Sequence, residues 1–343
     1  MVTLNRAGIG ATKTMRIAVL CSGGDAPGMN AALRSIVRTA VVSGDEVYGI
    51  RHGYEGLLNE EFYLDGTGSP AMGLRSVSGL SCLGGTILHS SRCKRFETPE
   101  GIQLAAEILN KHRINALIPI GGNGTMSGAR DLAKVWDGQV IGLPGTIDND
   151  LIGTDLTIGF ATAVDTAVEA ADKLRDTAGS HDLMFFVEVM GRHCGDIAVE
   201  TAIASGAELV FIPGLDEPIE KTVKKLQSIK TAGKTSVMAI VAEGDESGGA
   251  FQLQQILKEA GNPFESRCVV LGHVQRGGSP VPPDRILATE LGNFAVAMLI
   301  QGETDKMAGI IKGEPTLTPL DECVAQHKPV DPERLRLLHI LRT

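Results

Sequence analysis

The sequence predicts an α/β protein with mainly parallel sheets that helices cover on both faces. Short apolar runs of strand length alternate with longer amphipathic runs along most of the chain, which is typical of strands buried on both faces of a sheet. Many of the 42 glycines directly follow an apolar run, as expected for tight strand-to-helix turns around a ligand. The 343 residues are enough for two domains with separate cores.

The individual elements follow from this alternation. Short apolar runs predict strands at residues 15–20, 116–120, 140–143, 185–190, 209–213, 237–242 and 268–271. Amphipathic runs predict helices at residues 29–43, 101–111, 125–134, 160–174, 218–231 and 286–300. Ligands of such folds bind beyond the carboxyl ends of the strands, where several Gly- and Asp-rich segments lie. A domain boundary is predicted near residue 158.

Composition narrows the function classes. The net charge is −9 and no block of Lys or Arg stands out, so neither nucleic acid nor an anionic membrane is expected as a partner. No apolar run reaches the length of a membrane span. The six cysteines are scattered without a CxxC pair, which argues against a zinc site and a disulfide framework and favours a reducing, cytoplasmic location. Residues 1–14 lack an apolar signal segment and are predicted to form a flexible tail.

The segment PGTIDND (residues 144–150) follows a predicted buried strand and carries two carboxylates, Asp148 and Asp150. One carboxylate at such a strand end can accept a proton from a hydroxyl, and the other can hold Mg²⁺. The alternative interpretation is a turn rich in Asp and Asn without catalytic function.

Three further segments are rich in small residues. Residues 22–30 (SGGDAPGMN) and residues 121–125 (GGNGT) each follow a predicted strand and lead into a helix, an arrangement that lets the backbone approach a phosphate. Neither segment is a P-loop or a GxGxxG motif, so a tight turn without a ligand stays an alternative. Residues 84–86 (GGT) precede Ser90, Ser91 and Arg92; the guanidinium of Arg92 could clamp a phosphate or lie solvated on the surface.

Polar residues also follow the later strands. Residues 188–192 (EVMGR) and Glu243 each end a predicted strand, and Arg267 precedes residues 272–278 (GHVQRGG). Two arginines and His273 close to glycine pairs suit a dianionic phosphate, although a lone histidine is more often structural. No Ser-His-Asp order and no HExxH motif support a hydrolase.

Five motifs together resemble the bacterial 6-phosphofructokinase family, in the order and spacing of that family, between about residues 15 and 302. The motifs are SGGDAPGMNAALR (residues 22–34), GGNGT (121–125), PGTIDND (144–150), VEVMGRHCGD (187–196) and LGHVQRGGSPVPPDR (271–285). The resemblance implies two Rossmann-like α/β/α domains with the active site in the cleft between them. It also implies a glycolytic kinase that uses ATP and Mg²⁺ to phosphorylate the 1-hydroxyl of fructose 6-phosphate, assembled as a homotetramer whose active sites are shared between subunits.

Roles for individual residues follow from the same resemblance. Asp148 matches the general base, with Thr146 beside it and Arg192 as a further catalytic side chain, and Asn123 and Asp150 match the metal site. The implied ATP site consists of Gly24, Arg92, Cys93, Gly122, Asn123, Gly124 and Thr125. The implied sugar-phosphate site consists of Thr146, Ile147, Asp148, Met190, Gly191, Arg192, Glu243, Arg267, His273 and Arg276. The implied domains are a larger ATP-binding domain (residues 15–158 and about 272–323) and a smaller sugar-phosphate-binding domain (residues 159–271 and about 324–343).

The phosphoryl donor and three departures from the family leave alternatives open. Pyrophosphate-dependent relatives typically carry Asp where this chain has Gly124 and Lys where it has Gly145, so ATP is favoured over pyrophosphate. Asn123 replaces an Asp that serves the metal, which predicts weaker use of Mg²⁺. Leu183 replaces an arginine that reaches the partner subunit's 6-phosphate, which predicts weaker binding of fructose 6-phosphate or a different sugar phosphate. These two replacements would also suit a non-catalytic paralogue that modulates a partner kinase.

The expected effector site is incomplete. Arg34, Arg38 and Arg175 match effector-binding arginines, but Gly214 stands where a Glu is expected and only Lys234 remains of a basic cluster. Allosteric regulation by ADP or phosphoenolpyruvate, although common in the family, is therefore not expected.

Overall fold

The computed structural model describes residues 14–215 and 217–341, so all but Thr14 of the predicted N-terminal tail lies outside the described residues. The chain divides into two compact units: Met1–Gly159 with Arg276–His327, and Phe160–Gln275 with Lys328–Thr343. Each unit has a mainly or wholly parallel sheet and its own core. The predicted α/β class with mainly parallel sheets is therefore confirmed.

The secondary-structure elements are numbered in chain order. The strands are β1 (Arg16–Ser22), β2 (Glu46–Ile50), β3 (Ala71–Met72), β4 (Ala116–Gly121), β5 (Gln139–Pro144), β6 (Leu183–Val189), β7 (Leu209–Phe211), β8 (Val237–Ala242), β9 (Glu265–Val270), β10 (Lys306–Ile311) and β11 (Glu314–Pro319). The helices are α1 (Met29–Val42), α2 (Gly53–Leu58), α3 (Pro99–Lys111), α4 (Asn123–Ala133), α5 (Phe160–His181), α6 (Asp196–Ser205), α7 (Ile219–Thr231), α8 (Ala250–Glu259), α9 (Pro282–Ile300), α10 (Leu320–Cys323) and α11 (Pro332–Leu341).

The sheet of the first unit has the order β11-β10-β5-β4-β1-β2-β3. Its central strands pair in parallel, and only the outermost strands β3 and β11 run antiparallel to their neighbours. Strand β4 is buried along its whole length and β1 is buried beyond Arg16, as the continuous apolar runs predict for strands covered on both faces. Residues at the carboxyl ends of β1, β4 and β5 therefore lie side by side at one edge.

The sheet of the second unit has the order β7-β8-β6-β9, and all its strands are parallel. Strand β8 is fully buried, whereas β9 lies at the edge and consists of exposed and half-buried residues. The apolar core of this unit includes Phe186, Leu226 and Leu253. None of the helices within the described ranges combines the length and the apolar character that crossing a membrane requires.

Local sequence signals explain several helix ends. Helix α3 begins with Pro99, and the Thr98 side chain caps it by accepting a hydrogen bond from the backbone N–H of Gly101 at 3.1 Å. Helices α1 and α4 begin after Gly28 and Gly122, neither of which provides a side-chain cap. The backbone amides at the amino ends of these two helices can therefore serve a bound anion.

Candidate active site

Three loops of the first unit meet at the carboxyl edge of its sheet. The ends of the adjacent strands β1, β4 and β5 are in register, because Ser22 pairs with Gly121 and Gly121 pairs with Pro144. The backbone N–H of Gly145 also donates a 3.0 Å hydrogen bond to the carbonyl of Gly121. The structure thus brings together the PGTIDND segment and the two glycine-rich segments at residues 22–30 and 121–125.

The loop after β5 buries Asp148. The side chain of Asp148 is 4% exposed, and its backbone N–H donates to the Thr146 hydroxyl at 3.2 Å. Thr157 fixes the same loop, because its hydroxyl donates to the carbonyl of Thr146 at 2.6 Å and its N–H donates to Asn149 Oδ1 at 3.1 Å. Ile147 is fully buried and anchors the loop in the core. The Asp148 carboxylate therefore projects from a loop whose backbone is held by hydrogen bonds.

The loop after β1 is tied to the segment that carries Arg92 and Cys93. The N–H of Gly23 donates to the carbonyl of Ser91 at 3.1 Å, and the Ser90 hydroxyl donates to the carbonyl of Gly23 at 2.8 Å. Arg92 is exposed at this position. Cys93 is buried, and burial, followed by a hydrogen bond with Glu55, raises the pKa of its thiol to about 11. Cys93 is therefore protonated near neutral pH.

The loop after β4 leads directly into α4. Thr125 is buried; its hydroxyl donates to the carbonyl of Ser22 at 2.9 Å, and its own carbonyl accepts a 2.8 Å hydrogen bond from the Tyr54 hydroxyl. A side chain at Gly121 would clash with Thr125 and Ser22, whereas a Cβ at Gly124 would meet no atom within 4 Å. Open space therefore lies in front of Gly124, at the amino end of the helix.

Asn123 and Asp150 are in direct contact. Nδ2 of Asn123 donates a 2.6 Å hydrogen bond to Oδ2 of Asp150, and Nδ1 of His327 lies 3.5 Å from the same oxygen. Within the described ranges, no group of three or more His, Cys, Asp or Glu side chains could hold a metal ion by itself. A cation here would therefore need oxygen ligands from elsewhere, such as phosphates.

Arg276 belongs to the first unit and lies against the β1 loop. Its Nη1 donates a 3.2 Å hydrogen bond to the carbonyl of Asp25, and a Cβ added at Gly24 would stand 2.6 Å from the same Nη1. The side chain of Arg276 is half-buried. The structure thus joins Gly24, predicted for the ATP site, to a residue predicted for the sugar-phosphate site.

In the second unit, residues that follow β6, β8 and β9 come together because these strands are neighbours in the sheet. The backbone N–H of Arg192 donates to Oε1 of Glu243 at 3.0 Å, while the N–H of Glu243 donates to the carbonyl of Val189 at 2.9 Å. Gly191 and Arg192 both have positive φ, 137° and 52°, so this turn exposes the Arg192 side chain through a backbone conformation that most residues avoid.

Met190 is positioned by Gln275. The N–H of Met190 donates to Oε1 of Gln275 at 2.8 Å, and Gln275 is fully buried. His273 lies two residues before Gln275 and is exposed. Gln275 was not among the predicted site residues; in the sequence, the available signal was a single amide side chain between His273 and Arg276.

Arg267 is exposed on the edge strand β9, where its Nη2 lies 2.6 Å from Oε1 of Glu265 on the same strand. Leu183, at the start of β6, pairs with Glu265 in register and is half-buried. The guanidinium of Arg267 is thus directed along the strand by Glu265.

Two predicted effector residues converge on Glu208, which is buried. Nη1 of Arg175 lies 3.4 Å from Oε1 of Glu208, and Lys234 forms an ion pair with the same oxygen. Gly214 donates its N–H to Oε1 of Glu246 at 3.0 Å. In the first unit, Arg34 is half-buried and Arg38 is exposed.

Two supporting residues were not predicted. Asn30 is buried and ties residues 83–87 to α1, because its Nδ2 donates to the carbonyl of Gly84 at 3.1 Å and its Oδ1 accepts from the N–H of Ile87 at 2.9 Å. His327 reaches Asp150 from the end of the first unit, and nothing in the local sequence indicates that contact.

Comparisons with known proteins agree with this geometry. The model of the family described as Phosphofructokinase matches residues 16–299. The chain is 47% identical over 322 residues to the ATP-dependent 6-phosphofructokinase of Paenibacillus macquariensis. This alignment covers 94% of this chain and 97% of the relative. It is also 47% identical over 328 residues to the ATP-dependent 6-phosphofructokinase 1 of Thermus thermophilus, over 95% of this chain and 99% of the relative.

Solved structures show the same similarity. The phosphofructokinase of Saccharomyces cerevisiae matches with a TM-score of 0.81 and 36% identity, over 91% of this chain and 45% of the yeast chain, so this chain spans less than half of the yeast chain. A pyrophosphate-dependent phosphofructokinase of Marinobacter aquaeolei matches with a TM-score of 0.81 and 22% identity, over 96% and 92% of the two chains, and shows the fold alone. The resemblance found in the sequence is confirmed, and the chain belongs to the phosphofructokinase family.

Proposed function

We propose that the chain is an ATP-dependent 6-phosphofructokinase, a phosphotransferase that moves the γ-phosphoryl group of ATP to the 1-hydroxyl of fructose 6-phosphate. The names of its bacterial relatives, which are 44–47% identical over nearly their whole length, support this function. The observation that carries it is the arrangement of Ser22, Gly121 and Pro144 in register, which sets a buried carboxylate beside two glycine-rich turns.

Asp148 is the proposed general base. Phosphoryl transfer requires alignment and charge neutralisation more than covalent help from the protein. The Asp148 carboxylate accepts the proton of the 1-hydroxyl as its oxygen attacks the γ-phosphorus, and ADP leaves with the electron pair of the broken bond. Thr146 and Thr157 keep the loop fixed, because their hydroxyls bond to its backbone.

The nucleotide phosphates are proposed to lie over the amino end of α4. The helix begins at Asn123 without a side-chain cap, so its first amides and the positive end of its dipole are suited to an anion. The open space at Gly124 accommodates a phosphate that a larger side chain would displace. Gly24, Gly122 and Thr125 form the walls of this site, and Arg92 adds an exposed positive charge from the segment that also carries Cys93.

Mg²⁺ is the proposed cofactor, and the donor set fits it. One carboxylate (Asp150) and one amide oxygen (Asn123) are hard ligands, and Mg²⁺ usually takes one or two protein carboxylates and completes its shell with substrate phosphates and water. When bound, the ion would neutralise negative charge that develops on the phosphates.

The second unit is proposed to bind the sugar phosphate. His273 and Arg276 are the proposed donors for the 6-phosphate. Met190, Gly191 and Glu243 contact the sugar, and Arg192 offsets charge in the transition state. The proposed assembly is a homotetramer in which Arg267 serves the neighbouring subunit's site. Residue 183 is Leu in this chain, so the second arginine that the family resemblance implies for that site is missing.

A coupled assay for ADP release tests this function. Purified full-length protein with ATP, Mg²⁺ and fructose 6-phosphate should release ADP only when all three are present, and replacing ATP by pyrophosphate should abolish turnover. Absence of turnover with ATP would overturn the proposal and favour a non-catalytic paralogue. Turnover with pyrophosphate alone would show that the donor is wrong.

A further inference from the structure

The Asp150 carboxylate forms a cluster with the amide of Asn123 and the imidazole of His327. The carboxylate of Asp150 is 13% exposed, and its Oδ2 receives the 2.6 Å hydrogen bond of Asn123 and lies 3.5 Å from Nδ1 of His327. Both neighbours thus approach one oxygen of one carboxylate.

The orientation of the Asn123 amide follows from chemistry. An oxygen of the amide facing Oδ2 of Asp150 at 2.6 Å would set lone pairs against each other, so the NH₂ group must face the carboxylate. A second carboxylate at residue 123 would bring two like charges into contact, and it would need a cation or a proton between them. With Asn at residue 123, the contact with Asp150 forms without a cation or a proton between the two side chains.

We infer that Asn123 and His327 are positioning residues that hold the Asp150 carboxylate in its working orientation before a divalent cation arrives. This inference rests on the proposed function and deepens it. A cation that takes Oδ2 of Asp150 must displace the NH₂ group of Asn123, whose amide then turns its oxygen toward the ion, so the protein binds the free ion weakly and acquires it together with the nucleotide phosphates.

Binding of Mn²⁺ to the nucleotide-free full-length protein, followed by electron paramagnetic resonance, tests the role of Asn123 without measuring catalysis. Asn123→Asp should bind Mn²⁺ about tenfold more tightly or better, because a charged oxygen replaces an amide. Its metal-free form should unfold at a lower temperature than the wild type, and Mn²⁺ should restore that temperature.

The matched control is the swap Asn123→Asp with Asp150→Asn, which keeps one carboxylate and one amide in contact. The swap should return both the Mn²⁺ affinity and the metal-free unfolding temperature toward wild-type values. Unchanged affinity and unfolding temperature in the single variant Asn123→Asp would overturn the inference.

His327 is tested by kinetics. His327→Ala should lower kcat about threefold to tenfold, less than a full hydrogen bond to a charged group would give, because the contact is 3.5 Å long and the His327 side chain is exposed, while KM for fructose 6-phosphate and the unfolding temperature stay unchanged. His327→Asn keeps a donor near the position of Nδ1 and should recover most of kcat. A wild-type kcat in His327→Ala, or no recovery of kcat in His327→Asn, would show that His327 does not position the Asp150 carboxylate.

The two sets of results separate this inference from the proposed function. Mn²⁺ binding and thermal unfolding are measured without substrate, so their failure would leave the phosphotransferase proposal intact. A wild-type protein that releases no ADP would overturn that proposal and leave the Mn²⁺ and unfolding results to decide the roles around Asp150.

Discussion

The guanidinium of Arg276 donates a 3.2 Å hydrogen bond to the backbone carbonyl of Asp25. This contact joins the glycine-rich loop after β1 to the segment that precedes α9, although the two are far apart in sequence. The loop proposed to bind ATP and an arginine proposed to bind the sugar phosphate are therefore mechanically connected within one unit.

Gly24→Ala should weaken sugar-phosphate binding through Arg276. An added Cβ would stand 2.6 Å from Nη1 of Arg276, and the end of this flexible side chain must move away. Because a hydrogen bond to a charged group is worth about 1.5–3 kcal/mol, we expect KM for fructose 6-phosphate to rise roughly tenfold or more. Steady-state kinetics with each substrate varied in turn measure this. An unchanged KM for fructose 6-phosphate would contradict the predicted coupling between Gly24 and Arg276.

Glu243→Ala should also affect the sugar phosphate. The carboxylate of Glu243 accepts the backbone N–H of Arg192 at 3.0 Å and supports the positive φ of that residue. Without this acceptor the turn relaxes, and we expect KM for fructose 6-phosphate to rise about tenfold. Glu243→Gln keeps one oxygen acceptor and should cause a smaller rise. Equal kinetics for the alanine variant and the wild type would contradict this role.

Gly145 and Gly124 should respond differently to alanine. A Cβ at Gly145 would lie 2.9 Å from Cγ2 of Ile120 and 3.0 Å from Cε of Met29, whereas a Cβ at Gly124 would meet nothing within 4 Å. We expect Gly145→Ala to lower the free energy of unfolding by about 1–3 kcal/mol and Gly124→Ala, in the first turn of α4, to leave it unchanged or slightly higher. Urea denaturation of both variants checks this; equal stabilities would contradict it.

Cys93 should resist alkylation at neutral pH. With its pKa raised to about 11 by burial and then by Glu55, only about one thiol in 10⁴ is ionised at pH 7. Because the thiolate fraction rises tenfold per pH unit below that pKa, labelling by iodoacetamide should accelerate by about 100-fold between pH 7 and pH 9. Peptide mass spectrometry, with the exposed Cys82 as an internal control, measures both rates. Rapid labelling of Cys93 at pH 7 in folded protein would contradict the raised pKa.

The buried centre of the fold was predictable from sequence, and its edges were not. The run at residues 237–242 predicts β8 with its observed bounds, because a strand covered on both faces is continuously apolar. Strand β9 begins at Glu265 rather than at residue 268, since pairing of Glu265 with Leu183 extends an edge strand through exposed charged residues. Helix α6 was missed because it is buried nearly all round, so its sequence lacks an amphipathic period.

The candidate site, like the fold, could be predicted from the sequence only in part. Asp148, Gly24 and the GGNGT loop could be found because they lie at strand ends within a few residues of an apolar run. His327 could not, because its place beside Asp150 depends on where the chain returns to the first unit. The phosphoryl donor could not be predicted from the fold, since a pyrophosphate-dependent structure shares the fold with a TM-score of 0.81; the prediction of ATP rests on Gly124 and Gly145.

The most direct test compares the wild type with Asp148→Ala in the coupled assay for ADP release. At saturating ATP, Mg²⁺ and fructose 6-phosphate, loss of the general base should lower kcat by roughly 10²–10⁴-fold, with a thermal unfolding temperature close to that of the wild type. A folded Asp148→Ala variant that turns over at the wild-type rate would contradict the assignment of residue 148 as the base and, with it, the proposed mechanism.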